Sequence, residues 1–441
     1  MIIRIFLVFY RLAWIGLLPL VLIYLWRRGQ RDREYRQHLA ERFGFYRHRG
    51  SQGAIWLHAV SLGETRSATG LIRAMLARGD QVLLTHFTPA GRRESARLFA
   101  PEIATGQLQV VWVPLDMAWC YRRFFKAFRP RIGLALEAEI WPAMVFAARS
   151  AGIGLYLCNA QYATRSFERD CRGLRLRLRV AQGLAGALVK SAIHAQRFTA
   201  IGLRDVAVTG ELRFDQPVPA NLLQAARTFR AQIAPARGVV TIASGVEGEE
   251  RLFLELILRQ RDAARTSKRP PPLFIYVPRA PERFDAVAEA LETAGIKVVR
   301  RSEVLDKTLQ AQGDFGETEV LLGDSLGEMF FYLALADRVV VGGGFTPKGA
   351  HNVIEPLMLG KPVLVGPIVW TIEYPFVEAE LAGIACSVPD PAALFAALSA
   401  PQQVPQEQIE AFLMDHAGAS GRTLAEIDRI LTSRARDAAK I

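Results

Sequence analysis

From residue 54 to residue 366 the chain repeats one pattern: a short apolar run, a turn, then an amphipathic stretch of about a dozen residues. This alternation constrains the fold more than any other feature. Strands joined by helical crossovers pair in parallel, with helices covering both faces of the sheet. Strands are expected at 54–60, 81–87, 108–114, 131–137, 154–159, 186–190 and 206–209, and again at 238–244, 273–278, 296–300, 319–323, 338–342 and 362–366. Between the two series, residues 211–236 hold Gln216-Pro217-Val218-Pro219 and a short polar helix, which reads as a linker. The 441 residues suffice for two cores. The fold class is therefore α/β, with two doubly wound domains meeting near residue 220. Ligands of such sheets bind beyond the carboxyl ends of the strands, so a cleft between two facing domains is the expected site.

Residues 1–26, MIIRIFLVFYRLAWIGLLPLVLIYLW, precede this pattern and are strongly apolar, interrupted by Arg4 and Arg11. No small-residue cleavage site follows them, which disfavours a signal peptide. Residues 27–49 carry eight arginines against three acids. A basic flank puts the remainder on the cytoplasmic side of a membrane. The alternative is a buried helix packed on the first domain. The division expected is 1–50 as membrane anchor and basic juxtamembrane segment, 51–220 as first domain, and 221–441 as second domain with C-terminal helices.

The net charge of +12 favours an anionic partner. Cys120, Cys158, Cys171 and Cys386 have neither zinc-ligand nor disulfide-framework spacing. His58 and His351 have no partner at ligand spacing, and neither a D-x-D, a G-x-G-x-x-G nor a GxxxxGK[ST] pattern occurs. Metal, dinucleotide and P-loop chemistry are disfavoured accordingly.

The residues able to do chemistry cluster at strand ends. In the first half these are Glu64 in HAVSLGE, Glu137 and Glu139 in EAEIWP, Asn159, and the run GELRFD at 210–215. Carboxylates at the ends of different strands suit acid–base and charge-stabilising work in sugar chemistry. From spacing alone Glu137 and Glu139 read first as helix-start residues favoured by the dipole. In the second half SGVEGEE, VPRAPERF, GDSLGE, GGG and GAHNVIEP supply glycines, Arg279, a helix start near Asn352, and Glu355, a set that suits a phosphate and a ribose. The run RGLRLRLRV lies in an expected helix over 167–183, with Arg172, Arg175 and Arg179 on one side.

HAVSLGE, LALEAEIWP, NAQYATRS, TGELRFD, EGEE, VPRAPERF, GDSLGE and HNVIEP, in this order, resemble the 3-deoxy-D-manno-octulosonic acid (Kdo) transferases, GT-B glycosyltransferases of lipopolysaccharide synthesis. The resemblance implies metal-independent, inverting transfer of Kdo from CMP-Kdo to a lipid A precursor (lipid IVA), without a cofactor. It implies work at the cytoplasmic face of the inner membrane, on an anionic lipid surface, with no nucleic-acid partner. By the same resemblance Glu64 is the general base, and Glu137 and Arg213 stabilise the transition state. CMP contacts fall on Pro278 and Arg279, on Leu326, Gly327 and Glu328, and on Asn352, Val353, Ile354 and Glu355. The chain departs from the family's usual pattern at Gly245-Val246, Ala280, Ala350 and Val353-Ile354, and has arginine at 213 where lysine is usual. The competing expectation is another membrane-associated GT-B enzyme using a UDP-sugar.

Overall fold

The computed structural model describes residues 2–47, 52–313, 315–401 and 404–438. The chain divides into two units, Met1–Gln216 together with His416–Ile441, and Pro217–Asp415. The expected end of the anchor segment, at residues 48–51, lies outside the described residues.

The first unit is built on β1 (Ile55–His58), β2 (Val82–His86), β3 (Leu108–Trp112), β4 (Ile132–Leu136), β5 (Leu155–Ala160), β6 (Gly186–Val189) and β7 (Asp205–Val208). Their spatial order is β3-β2-β1-β4-β5-β6-β7, every pair parallel. Strands 1, 2, 4, 5 and 6 are buried throughout, as a sheet covered by helices on both faces requires. Gly133 answers to packing: a Cβ there would lie 2.7 Å from the Trp56 ring on the neighbouring strand. The order reverses between β1 and β4, which opens a crevice at their carboxyl ends.

The second unit repeats the design with β8 (Val239–Gly245), β9 (Leu273–Pro278), β10 (Val298–Arg300), β11 (Val320–Leu322), β12 (Arg338–Val341), β13 (Val363–Val365) and β14 (Ala385–Ser387), in the order β10-β11-β9-β8-β12-β13-β14. All are parallel, and the reversal lies between β8 and β12.

Three sequence expectations need correction. The stretch 167–183 is two short helices, Thr164–Asp170 and Leu176–Ala181, because Gly173 and Arg175 between them take left-handed φ values of 61° and 52°. Arg172 and Arg175 therefore lie in the break rather than on a helix face. The supposed linker contains helix Ala220–Ile233, whose Ala226, Phe229 and Ile233 are buried in the core of the second unit. The last helix, Ala419–Ala438, expected in the second domain, packs on the first: Ala419, Ile427 and Ile430 join a core with Leu71, Ile72 and Met75. Its entry is fixed by Asp215, whose carboxylate accepts from the N–H groups of Gly418 (2.7 Å) and Ser420 (2.5 Å).

The N-terminal apolar run is one helix, Ile2–Arg31, long and apolar enough to cross a membrane. One stripe of it leans on the first unit. Ile3 and Phe6 touch the main core, and Trp14, Leu18 and Val21 pack over Leu115, Met117 and Cys120. Tyr10 Oη donates to Asp116 at 2.7 Å, and the same buried carboxylate accepts the N–H groups of Ala143 and Met144 at the start of helix Pro142–Ser150. The opposite side bares Phe9 (67% exposed), Leu12, Ile15 (70%), Leu20 and Ile23. The buried-helix alternative thus holds for one side of the helix, while its other side is apolar and open.

Candidate active site

The turn after β1 folds Glu64 back on itself. Ser61 stands at the N-cap of helix Leu62–Ser67 in extended conformation, and Glu64 is the third helical residue. Its Oε2 accepts the Val60 N–H at 2.5 Å, and its Oε1 accepts from Ser61 Oγ at 3.3 Å, an arrangement akin to a capping box. Glu64 is only 8% exposed. Burial foremost, and then the charge of Glu137, push its carboxyl up to about 8. It is thus a group that holds a proton near neutrality and can exchange it.

Glu137 follows β4 across the sheet-order reversal, with φ of 56°. Its Oε1 accepts from Arg213 Nη2 at 3.1 Å and lies 4.0 Å from Lys190 Nζ. Glu139 is raised by burial, with Trp141 Nε1 donating to it at 2.5 Å. Neither acid lies in the first turn of helix Pro142–Ser150, so the helix-start reading is set aside. His58 is fully buried and held neutral, its pKa pulled down to about 3 by desolvation; its Nδ1 lies 3.0 Å from Thr85 Oγ1 and its ring meets Trp141 edge to face. It walls the site.

Arg213 lies on a short 3-10 turn, Leu212–Asp215, after β7. Beneath it are Lys190, which the sequence reading did not single out, and Glu211, which it held only as part of the run GELRFD. Their side chains are 2% and 1% exposed and 2.7 Å apart. Burial alone would push Glu211 up, but Lys190, Arg213 and the Asn159 amide hold its carboxyl well below the usual range. The available signal was position: each immediately follows, or lies close behind, a strand end, as Glu64 and Glu137 do.

In the second unit the reversal is stitched by Glu249, fully buried, which accepts N–H groups from Val246 (3.2 Å), Gly343 (2.7 Å) and Phe345 (3.1 Å). The loops after β8 and β12 are thereby one structure. Gly342 must be glycine, since a Cβ would stand 2.5 Å from the Ser244 carbonyl oxygen. Pro278 ends β9 beside Gly245, and the Arg279 N–H donates to the Gly245 carbonyl at 2.8 Å, leaving the guanidinium exposed. Glu247 and Glu250 pair with Lys348 and Arg283. His351 is pulled down to about 4 by desolvation and then by Arg279 and Lys348, which places those cations around a neutral ring.

The other expected contacts divide by what they can offer. Val353 and Ile354 are buried core residues, so only their backbone is available. Asn352 Oδ1 accepts the Ile354 N–H at 3.0 Å at the head of a helix of five residues, Ile354–Met358, with Glu355 half-buried in its first turn. Leu326 is 73% exposed and Gly327 has φ of 84°. Glu328 is held by both arms of Arg301, at 2.6 and 2.7 Å, and also accepts from Ser325 Oγ.

The description "3-Deoxy-D-manno-octulosonic-acid transferase (kdotransferase)" belongs to a family model that matches residues 37–216, ending where the first unit's opening segment ends. Over 431 residues the chain is 38% identical to the 3-deoxy-D-manno-octulosonic acid transferase of Bordetella pertussis, covering 95% of this chain and 98% of that protein. This chain belongs to the Kdo transferase family. It is a glycosyltransferase. The Haemophilus influenzae Kdo transferase is 29% identical over 356 residues, 79% of each chain. Among solved structures, Glycyrrhiza uralensis UGT73P12 in complex with glycyrrhetinic acid 3-O-monoglucuronide superposes with a TM-score of 0.59 over 88% of this chain and 97% of its own, at 11% identity. That likeness shows the fold alone, the GT-B class with its two Rossmann-like sheets.

Proposed function

We propose that this Kdo transferase takes Kdo from CMP-Kdo and passes it to a lipid A precursor, lipid IVA, in lipopolysaccharide synthesis, with Glu64 as general base. The observation that supports it most is the state of Glu64: buried, raised to about 8, and set across a sheet-order reversal from the Glu137–Arg213 pair. An acceptor hydroxyl attacks the anomeric carbon as the bond to CMP breaks, and its proton passes to the Glu64 carboxylate. Glu137 stabilises the oxocarbenium-like charge, and Arg213 the donor's own carboxylate or departing phosphate. One displacement inverts the anomeric centre. The first unit is the acceptor domain.

The second unit holds CMP. The exposed guanidinium of Arg279 takes the phosphate, and Pro278 lines the same strand end. Leu326, Gly327 and Glu328 line the nucleotide through an open loop that Arg301 braces. The segment Asn352 to Glu355 lies along the donor sugar and offers it the Glu355 carboxylate, the Ile354 N–H being held by Asn352 Oδ1. Assaying the full-length enzyme with CMP-Kdo and lipid IVA, with products resolved by mass, tests the reading. Kdo addition, inhibited by CMP and not by UDP, is expected; sugar transfer from a UDP-sugar with no use of CMP-Kdo would overturn it.

Helix Ile2–Arg31 holds the enzyme on the cytoplasmic face of the inner membrane, with the basic residues that follow it drawn to anionic lipid. Replacing Phe9, Leu12, Ile15 and Leu20 by serine should move the protein to the soluble fraction with its melting temperature kept. Each buried CH₂ contributes about 0.8 kcal/mol to membrane binding. Firm membrane association of that variant would contradict the anchor. Deleting residues 1–26 is a poorer test, since it uncovers Leu115 and Met117 and takes Tyr10 from Asp116.

A further inference from the structure

The Lys190–Glu211 ion pair has no part in the roles given above. Taking both charges out of water is expensive, and apolar side chains of similar size would often fill such a place without loss of stability. What the pair does provide is placement. Glu211 Oε1 accepts from Asn159 Nδ2 at 2.9 Å and from the Arg213 N–H at 3.2 Å, and Asn159 Oδ1 accepts the Leu212 N–H at 3.0 Å. Glu211 Oε2 takes Lys190 Nζ at 2.7 Å, and that ammonium donates to Gln161 Oε1 at 3.3 Å and stands 4.0 Å from Glu137 Oε1. Two cations from separate strand ends thus converge on one oxygen of Glu137, and one carboxylate, Glu211, sets the position of both. Glu137 and Asn159 are each held in the left-handed region, at φ 56° and 53°, a conformation that non-glycine residues rarely adopt unless their surroundings hold them there.

We propose that Lys190 and Glu211 are positioning residues, a buried ion pair that holds Glu137 and Arg213 in their reactive placement. The proposal rests on the reading that Glu137 and Arg213 act in the transfer.

The test is the full-length enzyme with Lys190→Met and Glu211→Met together, which removes both buried charges and strands neither. The melting temperature and the calorimetric affinity for CMP should stay at wild-type values, and KM for CMP-Kdo should change little. The turnover number should fall roughly tenfold to a hundredfold, the cost of a misplacement of about 1 Å in a reacting group. If the double variant does not fold, Glu211→Gln, which keeps the shape and an amide oxygen, should give the same split. Wild-type turnover in whichever of the two folds overturns the proposal, as does a matching loss of CMP affinity and turnover. Glu137→Gln, assayed alongside, separates the two ideas. If it is fully active, the reading of Glu137 fails; if it is slow while the double methionine variant is not, only the positioning role fails.

Discussion

Glu64→Gln should lower Kdo transfer by roughly two to four orders of magnitude, the usual worth of a general base. Glutamine keeps the size of the side chain and an oxygen for the Val60 N–H, but it cannot take up a proton. CMP affinity, measured by calorimetry, should be unaltered, because the nucleotide-binding role is proposed for the other unit. The pH profile adds a second readout. Burial, then Glu137, hold the wild-type carboxyl at about 8, so the fraction able to accept a proton grows as pH rises towards 8 and levels above it. Turnover should climb over that range in the wild type, and the Glu64 limb should be missing from the variant. Stability moves the other way. The unfolded chain gives up this proton near 4.5 and the folded one near 8, so wild type loses stability between those pH values. Melting curves at pH 4 and pH 8 should show the variant gaining on wild type at the higher pH. A folded Glu64→Gln enzyme with near wild-type transfer would sink the mechanism.

Arg279→Ala should weaken CMP binding by about tenfold to a hundredfold, corresponding to the loss of roughly 1.5–3 kcal/mol from charge-assisted hydrogen bonds to a phosphate. The fold should survive, since only the backbone N–H of Arg279 is tied into the sheet end and its side chain is exposed. Arg279→Lys should recover part of the affinity, as a point charge replaces a fork. Unchanged CMP affinity in the alanine variant would remove Arg279 from the site.

The strands of both sheets were legible because a strand buried on both faces must be apolar along its length, and VVTIASG or IGLAL leaves little alternative. β14 escaped notice for the converse reason: Ala385, Cys386 and Ser387 are small, and Cys386 is exposed. Glu64, Glu137 and Arg279 could be named from their places after strands. Lys190 and Glu211 could not be paired, because a buried ion pair joins residues 21 positions apart in sequence and only strand adjacency in β6 and β7 brings them together. The docking of helix Ile2–Arg31 was hidden by its uniformity: with apolar residues all round, nothing in the sequence marks which side is covered.

Helix Ala419–Ala438 closes the core of the unit in which the chain begins. On the ribosome this has a cost in time. Leu71, Ile72 and Met75 are made early, yet the residues that cover them, Ile427 and Ile430, are nearly the last to emerge, after the whole of Pro217–Asp415. The later unit is one unbroken length of polypeptide and can complete its core while the earlier one still waits. A nascent chain stopped short of residue 419 would therefore carry a finished second unit attached to a first unit with an open apolar seam, the kind of surface that chaperones bind and that aggregation begins from.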